Sequence, residues 1–290
     1  MKEQVEFKKQ REFGEIISDT FLFIKQNFKP LLKVFLYLCG FFLLASILAA
    51  ATNLLTISDY HFGESHPSLQ MYGRFFTWTY AAVILFYFAT YSSITVATLS
   101  YIAVYIAKGN VAPTPDEVWT HFKYYFLRVF GSSIPITLLM LVAFVCCIIP
   151  GVYVFPALSI FYAAMIYENG SFAYSFGRAF KLANKDWWAT AGAMIIIWII
   201  TYAAFLIPSL PTMIIGMVSA FTQGPKGLGM TFIVISTVIQ YLSQVFYIIP
   251  LVAVSLCYFN LAERMDSAGL LARIDKLGEQ NSQSDIKEEY

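Results

Sequence analysis

The chain has 290 residues, of which 58% are hydrophobic and only 13% are charged, whereas soluble domains carry about 25% charged residues. A chain of this composition cannot bury its apolar surface in water, and this excludes an ordinary soluble domain. The formal net charge of +1 is uninformative, because long uncharged runs alternate with segments that hold most of the Lys and Arg residues.

The first charged segment predicts an amphipathic helix that begins near Phe13. Similar segments begin near Asp116 and Ser171, so we predict three copies of one unit, an amphipathic helix followed by a helical hairpin. In the second copy Thr114, Pro115 and Glu117 form the pattern of a helix start with a capping box. The apolar stripe of the first copy has helical spacing and consists of Phe13, Ile16, Ile17, Phe21, Ile24 and Phe28.

Five uncharged runs follow or separate these segments, at 34–57, 75–107, 129–167, 187–225 and 227–262. Because a helix of about 20 apolar residues crosses the hydrocarbon layer, these runs predict membrane helices. The run 129–167 is long enough for two spans, and Ile148-Ile149-Pro150-Gly151 predicts a tight hairpin between them. The six predicted spans are 31–55, 76–106, 130–149, 151–168, 188–208 and 231–260.

The run 187–225 is interrupted by Pro208 and Pro211. It is either one kinked or tilted helix, or a span followed by a short segment at the outer surface. We favour one span, with an irregular outer extension over 209–225.

These elements predict an all-α integral membrane protein, with six transmembrane helices arranged as three hairpins, each preceded by an amphipathic interfacial helix. Residues 1–30 form a cytoplasmic N-terminus, 31–262 the membrane domain and 263–290 a cytoplasmic polar tail. With the N-terminus inside, 17 of the 19 Lys and Arg residues are cytoplasmic, all except Arg74 and Lys226. Positive charge marks cytoplasmic loops, so we expect a multi-pass protein of a bacterial cytoplasmic (inner) membrane with both termini inside.

The amphipathic helices have two interpretations. They are either elbows that orient the hairpins, which we favour, or a basic ring that grips anionic lipid at the cytoplasmic face. The first and third copies also align closely: pairing Phe21 with Phe180 brings Asn27-Phe28 opposite Asp186-Trp187.

Groups that carry chemistry are scarce. No Asp, Glu, His, Lys or Arg is predicted well inside a span, where proton coupling or intramembrane hydrolysis would need one. Glu168 and Glu263 mark the ends of spans, and His61, Glu64 and His66 make only a weak cation site in a loop. Three scattered histidines and four cysteines within spans give no metal pattern. We therefore predict no catalytic, cofactor-binding or metal-binding residue, and no cofactor.

Uncharged polar residues in the last predicted span are more informative. Gln240 and Gln244 share one helical face with Ser236. They serve either interhelical packing, which we favour, or the polar lining of a cavity. In the second interpretation Thr90, Ser93 and Thr137 contribute to the same lining.

Several motifs then resemble a known family. They are Ile148-Ile149-Pro150-Gly151-Val152-Tyr153, Tyr167-Glu168-Asn169, Ser171 through Arg178 to Trp187-Trp188, and Tyr258-Phe259-Asn260-Leu261. This order resembles the membrane-domain family named after glycerophosphoryl diester phosphodiesterase, and related bacterial multi-pass proteins of unknown function. The resemblance implies the fold but no activity, because the 28 residues after Ala262 are too few for a phosphodiesterase barrel. Names of similar short proteins that suggest carotene cleavage are unsupported, since the histidine cluster that holds iron is missing.

We therefore expect a non-enzymatic scaffold, accessory subunit or lipid-environment factor. Its expected partners are the bilayer, including anionic lipids, and membrane proteins or further copies of itself, but not nucleic acid. The alternative is a transporter or permeation pathway for a lipid or apolar small molecule, which requires a cavity open to one side.

Overall fold

A computed structural model describes residues 4–59, 78–146, 148–221 and 230–266, and this part of the chain is helical without a β-strand. A 3₁₀ turn, Ser243–Tyr247, joins the last two helices. The eight α-helices are α1 Phe13–Asp59, α2 Trp78–Ala107, α3 Pro115–Cys146, α4 Ile148–Tyr167, α5 Phe172–Ala183, α6 Trp187–Phe221, α7 Met230–Leu242 and α8 Ile248–Asp266.

Among the described residues, six segments are long and apolar enough to cross a membrane, and the predicted all-α multi-pass fold is thereby confirmed. They are Phe13–Asn53, Trp78–Ala107, Pro115–Cys146, Ile149–Tyr167, Trp187–Pro211 and Val234–Asp266. Length and apolar composition carry this conclusion, because a helix satisfies its own backbone hydrogen bonds in an apolar environment.

The core forms around α2, α4 and α8. In Val234–Asp266, 67% of the most apolar stretch is buried inside the bundle, against 22% for α3 and 22% for Trp187–Pro211 of α6. The helix α8 contacts α1, α2, α4, α5 and α6. The outer helices α3 and α6 therefore leave most of their apolar surface uncovered.

Hydroxyl groups join α1 to α2, which pack as antiparallel neighbours. The hydroxyl of Thr90 hydrogen-bonds that of Ser46 over 2.6 Å, and Ser46 also donates to the carbonyl of Phe86. Further along the same interface, Ser93 donates to the carbonyl of Leu38 over 3.4 Å. Ser and Thr at such helix contacts let the backbones approach and find partners for their hydroxyls.

The boundaries of the three repeated units differ from one another. In the first unit α1 is interrupted by the non-helical backbone of Asn27, with φ −110° and ψ 16°. The aligned residue of the third unit, Asp186, lies in the break just before α6. In the second unit α3 continues from Pro115 to Cys146 without a separate amphipathic helix. The alignment of Asn27 with Asp186 thus matches two equivalent interruptions.

The short helix α5 packs back along α4. Its N-cap is Ser171, whose side chain accepts a hydrogen bond from the N–H of Tyr174. The ring of Phe172 contacts that of Phe161 at 5.3 Å, and Trp187, beyond the other end of α5, donates from its indole to the carbonyl of Tyr153. An amphipathic helix needs a surface for its apolar face, and α4 provides part of that surface.

Two predicted spans need correction. The helix α6 continues through Pro208 and Pro211 to Phe221, so the irregular extension predicted after residue 208 is helical at least to residue 221. The predicted span 231–260 corresponds to the one candidate span Val234–Asp266, but its helix is interrupted by the 3₁₀ turn between α7 and α8. The division has a local cause: the ring of Pro250 conflicts with the carbonyl four residues earlier, that of Phe246 within the turn.

The helix α3 ends at Cys146 and α4 begins at Ile148, so the boundary between them lies slightly before the predicted break at Pro150-Gly151. Pro150 lies in the first turn of α4, where its missing N–H costs little. Gly151 allows a close approach, because a Cβ atom there would lie 2.7 Å from the ring of Phe144. The absence of a side chain at Gly151 therefore allows α3 and α4 to pack closely at this point.

The kink in α1 leads to a first prediction. The side chain of Asn27 donates to the carbonyl of Phe23 and accepts a 3.0 Å hydrogen bond from the fully buried Tyr101. Asn27→Ala leaves that hydroxyl without its partner and is expected to cost about 1–3 kcal/mol. Thermal unfolding of the purified protein in detergent measures the loss. The exposed Ser18→Ala should unfold like the wild type, and equal stability of both variants would contradict the assigned role.

Candidate functional site

A polar network surrounds Glu168, just beyond the end of α4. One carboxylate oxygen accepts hydrogen bonds from Arg178 of α5 over 2.8 Å and from the hydroxyl of Tyr258 in α8 over 2.6 Å. The other oxygen accepts from Tyr174 over 2.6 Å. Arg178 also pairs with Asp266 at the end of α8. Glu168 therefore joins three helices through one carboxylate.

Hydrogen bonding keeps Glu168 ionised. Burial alone opposes the charge, but the donors Tyr174, Tyr258 and Arg178 outweigh it and lower the pKa of the carboxyl below 4.5. Burial likewise opposes the charge on Arg178, while its bonds to Asp266 and Glu168 raise its pKa. Each charge is thus held in place by the other groups of the network.

A second group of polar contacts fixes the segment before α1. Arg11 is only 2% exposed, and its backbone N–H donates to the side-chain carbonyl of Asn260 over 2.8 Å. The guanidinium of Arg11 pairs with Asp19 and donates to the carbonyls of Phe7, Lys9 and Glu6. The N-terminal segment is consequently tied to both α1 and α8.

Arg264 extends this second group to the start of α6. It donates to Asp186 over 2.7 Å, to the carbonyl of Arg11 over 2.9 Å and to Asn260 over 3.3 Å. We call the two groups together the polar network, which consists of Arg11, Asp19, Glu168, Tyr174, Arg178, Asp186, Tyr258, Asn260, Arg264 and Asp266.

The motifs that carry the family resemblance supply much of this network. Glu168, Arg178 and Asn260 are members, and Asn169 accepts a 3.0 Å hydrogen bond from Arg128 of α3. Asn169 has a positive φ of 49°, and the N–H of Gly170 returns to the carbonyl of Met165, as expected at a helix C-terminus. The sequence placed Glu168 at the end of a span but did not predict its partners: Tyr174 and Arg178 lie on the next helix, and Tyr258 lies 90 residues away.

The predicted glutamines line a cavity of about 310 Å³ between α2, α6 and the 3₁₀ turn. We call it the glutamine cavity. Gln244 is only 7% exposed, and it lies in the 3₁₀ turn rather than on one helix with Gln240. The other lining residues are Tyr87, Tyr202, Phe205, Leu206, Pro208, Ser209, Ser243 and Tyr247.

A larger cavity of about 470 Å³ lies between α2, α3, α4 and α6, and Tyr87 lines both. We call it the apolar cavity. Its wall includes Met140, Phe144, Leu158 and Trp198. A small space of about 60 Å³ adjoins it at Tyr91 and Trp198 and reaches Tyr247 of the glutamine cavity. The two cavities are therefore neighbours that share one aromatic wall.

The remaining residues of the predicted lining are divided. Thr137 does line the apolar cavity. Thr90 and Ser93 instead make the α1–α2 contacts, so they do not belong to the lining that the alternative interpretation gave them. Ser236 is buried and lines neither cavity. This difference has a simple cause, since one sequence does not show which side of α2 faces α1.

The sequence did not indicate the aromatic part of the wall. The ring of Tyr247 contacts Tyr91 at 5.6 Å and Phe205 at 5.0 Å, and its hydroxyl lies 3.4 Å from that of Tyr87. Trp198 contacts Tyr247 at 6.3 Å. The high aromatic content, 18% of the chain, was the available signal. It did not indicate which aromatic residues meet.

Metal-binding residues do not come together in the described ranges, where no group of three His, Cys, Asp or Glu side chains is suitably placed. Cys39 and Cys257 are buried, and Cys146 is exposed at the end of α3. His61, Glu64, His66, Arg74, Cys147 and Lys226 fall outside the residues that the structure describes.

The fold and these sites define a multi-pass membrane protein with an internal polar network and two adjoining cavities. No family model, curated protein or solved structure matches the chain. The likeness to the membrane-domain family consequently rests on the sequence motifs alone.

The state of Glu168 predicts how stability depends on pH. A carboxyl whose pKa is lowered by folding stabilises the protein at pH values above 4.5, its ordinary pKa, and this contribution disappears as pH falls further. Glu168→Gln should therefore give a flatter stability curve than the wild type below this pH. Thermal unfolding across an acid pH series measures both curves. The exposed Glu12→Gln should leave the curve unchanged, and parallel curves for wild type and Glu168→Gln would contradict the assignment.

Proposed function

We propose that this protein is a non-enzymatic scaffold, accessory subunit or lipid-environment factor of a bacterial cytoplasmic membrane. The uneven burial of its helices carries the proposal. The helices α3 and α6 present an uncovered apolar surface, whereas α8, which contacts most of the other helices, is mostly buried. Such a surface suits contacts with lipid chains or with another membrane protein.

The polar network supports a scaffolding role. Its charged members are paired with one another, and they tie the N-terminal segment, α5 and α8 into one unit. Arrangements of this kind restrain helix movement. The distribution of Lys and Arg favours an orientation with this network and both termini in the cytoplasm. The sequence motifs favour a relationship to the membrane-domain family named after glycerophosphoryl diester phosphodiesterase. They do not favour a phosphodiesterase activity.

Exposed basic residues favour anionic lipid as a partner. Lys123 lies over the ring of Trp119 at 5.5 Å, and Lys181 and Lys185 are exposed on and just after α5. Cations beside aromatic rings are typical of surfaces at the headgroup level of a bilayer.

A photocrosslinker placed in living cells tests the scaffold proposal. Benzoylphenylalanine at Leu138 of α3 and at Ile199 of α6, both more than half exposed, is expected to give a discrete protein adduct from at least one position. The same group at exposed Leu48 of α1 is the matched control and should give less of that adduct. Absence of any protein adduct from α3 and α6 would contradict a scaffold or accessory role.

A second candidate is a permeation pathway for lipid or an apolar small molecule. The observation that favours it is the pair of adjoining cavities, which open at exposed Leu141 of α3 and Tyr202 of α6. Transport requires such an opening, and a bundle filled by side chains would lack it.

Lipid translocation in liposomes tests this candidate. The reconstituted protein should accelerate transbilayer movement of fluorescent glucosylceramide, which dithionite quenching follows. Ser159→Trp, at the wall of the apolar cavity, is expected to slow this movement by filling the space. Ile199→Trp, on the exposed face of α6, should not. Movement no faster than in protein-free liposomes would rule the candidate out.

A further inference from the structure

We propose that the two adjoining cavities form a binding site for a neutral lipid whose uncharged hydroxyl or carbonyl group hydrogen-bonds Gln244 and Tyr162. The proposal goes beyond the scaffold function, because binding requires neither a protein partner nor transport. It uses the same cavities as the permeation candidate but is independent of any movement across the membrane.

The unmatched polar groups of the wall are the first argument. Gln244 and Tyr162 are 7% and 8% exposed, and each lines a cavity. Within the part of the chain that the structure describes, neither the Gln244 amide nor the Tyr162 hydroxyl has a hydrogen-bond partner. Both belong to segments that are apolar enough to cross a membrane. An amide or hydroxyl left unpaired in such surroundings is unfavourable, and a ligand with a matching group would remove this cost.

The chemistry of the wall indicates the class of ligand. None of the residues that line the two cavities carries a formal charge, and this disfavours a phosphate, carboxylate or ammonium group. The amide of Gln244 and the hydroxyls of Tyr162 and Tyr202 both donate and accept hydrogen bonds, so they suit a hydroxyl or a carbonyl. The apolar cavity, with Met140, Leu158 and Trp198, suits a hydrocarbon body.

The size and position of the cavities fit such a ligand. Volumes of about 310 and 470 Å³ lie in the range of small-molecule sites, which is roughly 300–1,000 Å³. The exposed faces of Leu141 and Tyr202 leave the wall open at the apolar surface of the bundle. A lipid could thus place its polar group inside and leave its chains beside α3 and α6.

Photolabelling of the full-length protein in nanodiscs tests the site. A diacylglycerol that carries a diazirine in its acyl chain is the probe, and mass spectrometry maps the labelled peptides. We expect saturable labelling of α3, α4 or α6 next to the apolar cavity. Unlabelled diacylglycerol, which has a hydroxyl and two ester carbonyls, should compete. Competition by an isoprenoid quinone, which has ring carbonyls but no hydroxyl, would show that a carbonyl is sufficient. Phosphatidylglycerol, which is charged, should not reduce the labelling.

Two variants make the test specific. Gln244→Leu and Tyr162→Phe each remove one hydrogen-bonding group, and we expect roughly three- to tenfold weaker saturable labelling. The same substitutions outside the cavities, Gln26→Leu and Tyr124→Phe, are the controls and should label like the wild type. Size-exclusion chromatography and thermal unfolding confirm that each variant is folded. A variant that does not fold is replaced by Gln240→Leu, which lies on the more exposed side of the glutamine cavity.

Three results would each overturn the proposal. The labelling does not saturate, phosphatidylglycerol reduces it as strongly as diacylglycerol does, or it is unchanged in both cavity variants. These results are separate from those for the proposed function. The scaffold proposal depends on protein adducts from α3 and α6, and the permeation candidate depends on lipid movement in liposomes.

Discussion

The structure depends on one constraint, which is that polar groups in an apolar environment must find their partners within the protein. The hydroxyls of Ser46 and Thr90 meet between α1 and α2 for this reason. Glu168 satisfies its carboxylate with donors from two other helices. Where the chain departs from regular helix, as at Asn27, a side chain restores part of the lost bonding. Packing and polar pairing are therefore two aspects of the same requirement.

The polar network and the cavities differ in how well their polar groups are paired. In the network each carboxylate and guanidinium has partners, so the N-terminal segment and the ends of α4 and α8 form a closed unit. In the cavities Gln244 and Tyr162 line open space among aromatic side chains. The polar network restrains the helices on one side, and the cavities leave unfilled space beside them. This arrangement suits the binding of a ligand or partner. The proposed roles as a scaffold and as a site for a neutral lipid both follow from this contrast.

Much of the fold could be predicted from the sequence, because membrane helices are encoded by long apolar runs. The existence of six such helices was predicted, as was the hairpin near Pro150. The pairing of Asn27 with Asp186 also proved structurally meaningful. The 3₁₀ turn before Pro250 was missed, since apolar composition is the same on both sides of it. The helical course through Pro208 was one of two alternatives and not the favoured one, although proline is a weaker helix breaker among apolar neighbours.

The sites were less predictable, because they depend on contacts between distant parts of the chain. Gln240 and Gln244 were recognised as unusual polar residues, but their aromatic surroundings come from α2 and α6. Arg11 belongs to the polar N-terminal segment by sequence, and nothing in the sequence indicates that it is almost fully buried. Periodicity shows that two residues share a helical face, but it does not show which helix that face meets.

The bundle keeps an open, uncharged but polar-lined cavity among its membrane helices. An experimental structure of the protein in lipid nanodiscs tests it most directly. We expect α3 and α6 to stay apart and elongated lipid-like density to enter between them, with its polar end beside Gln244 and Tyr162. A structure in which α3 packs against α6, and in which protein groups hydrogen-bond both Gln244 and Tyr162, would contradict the account.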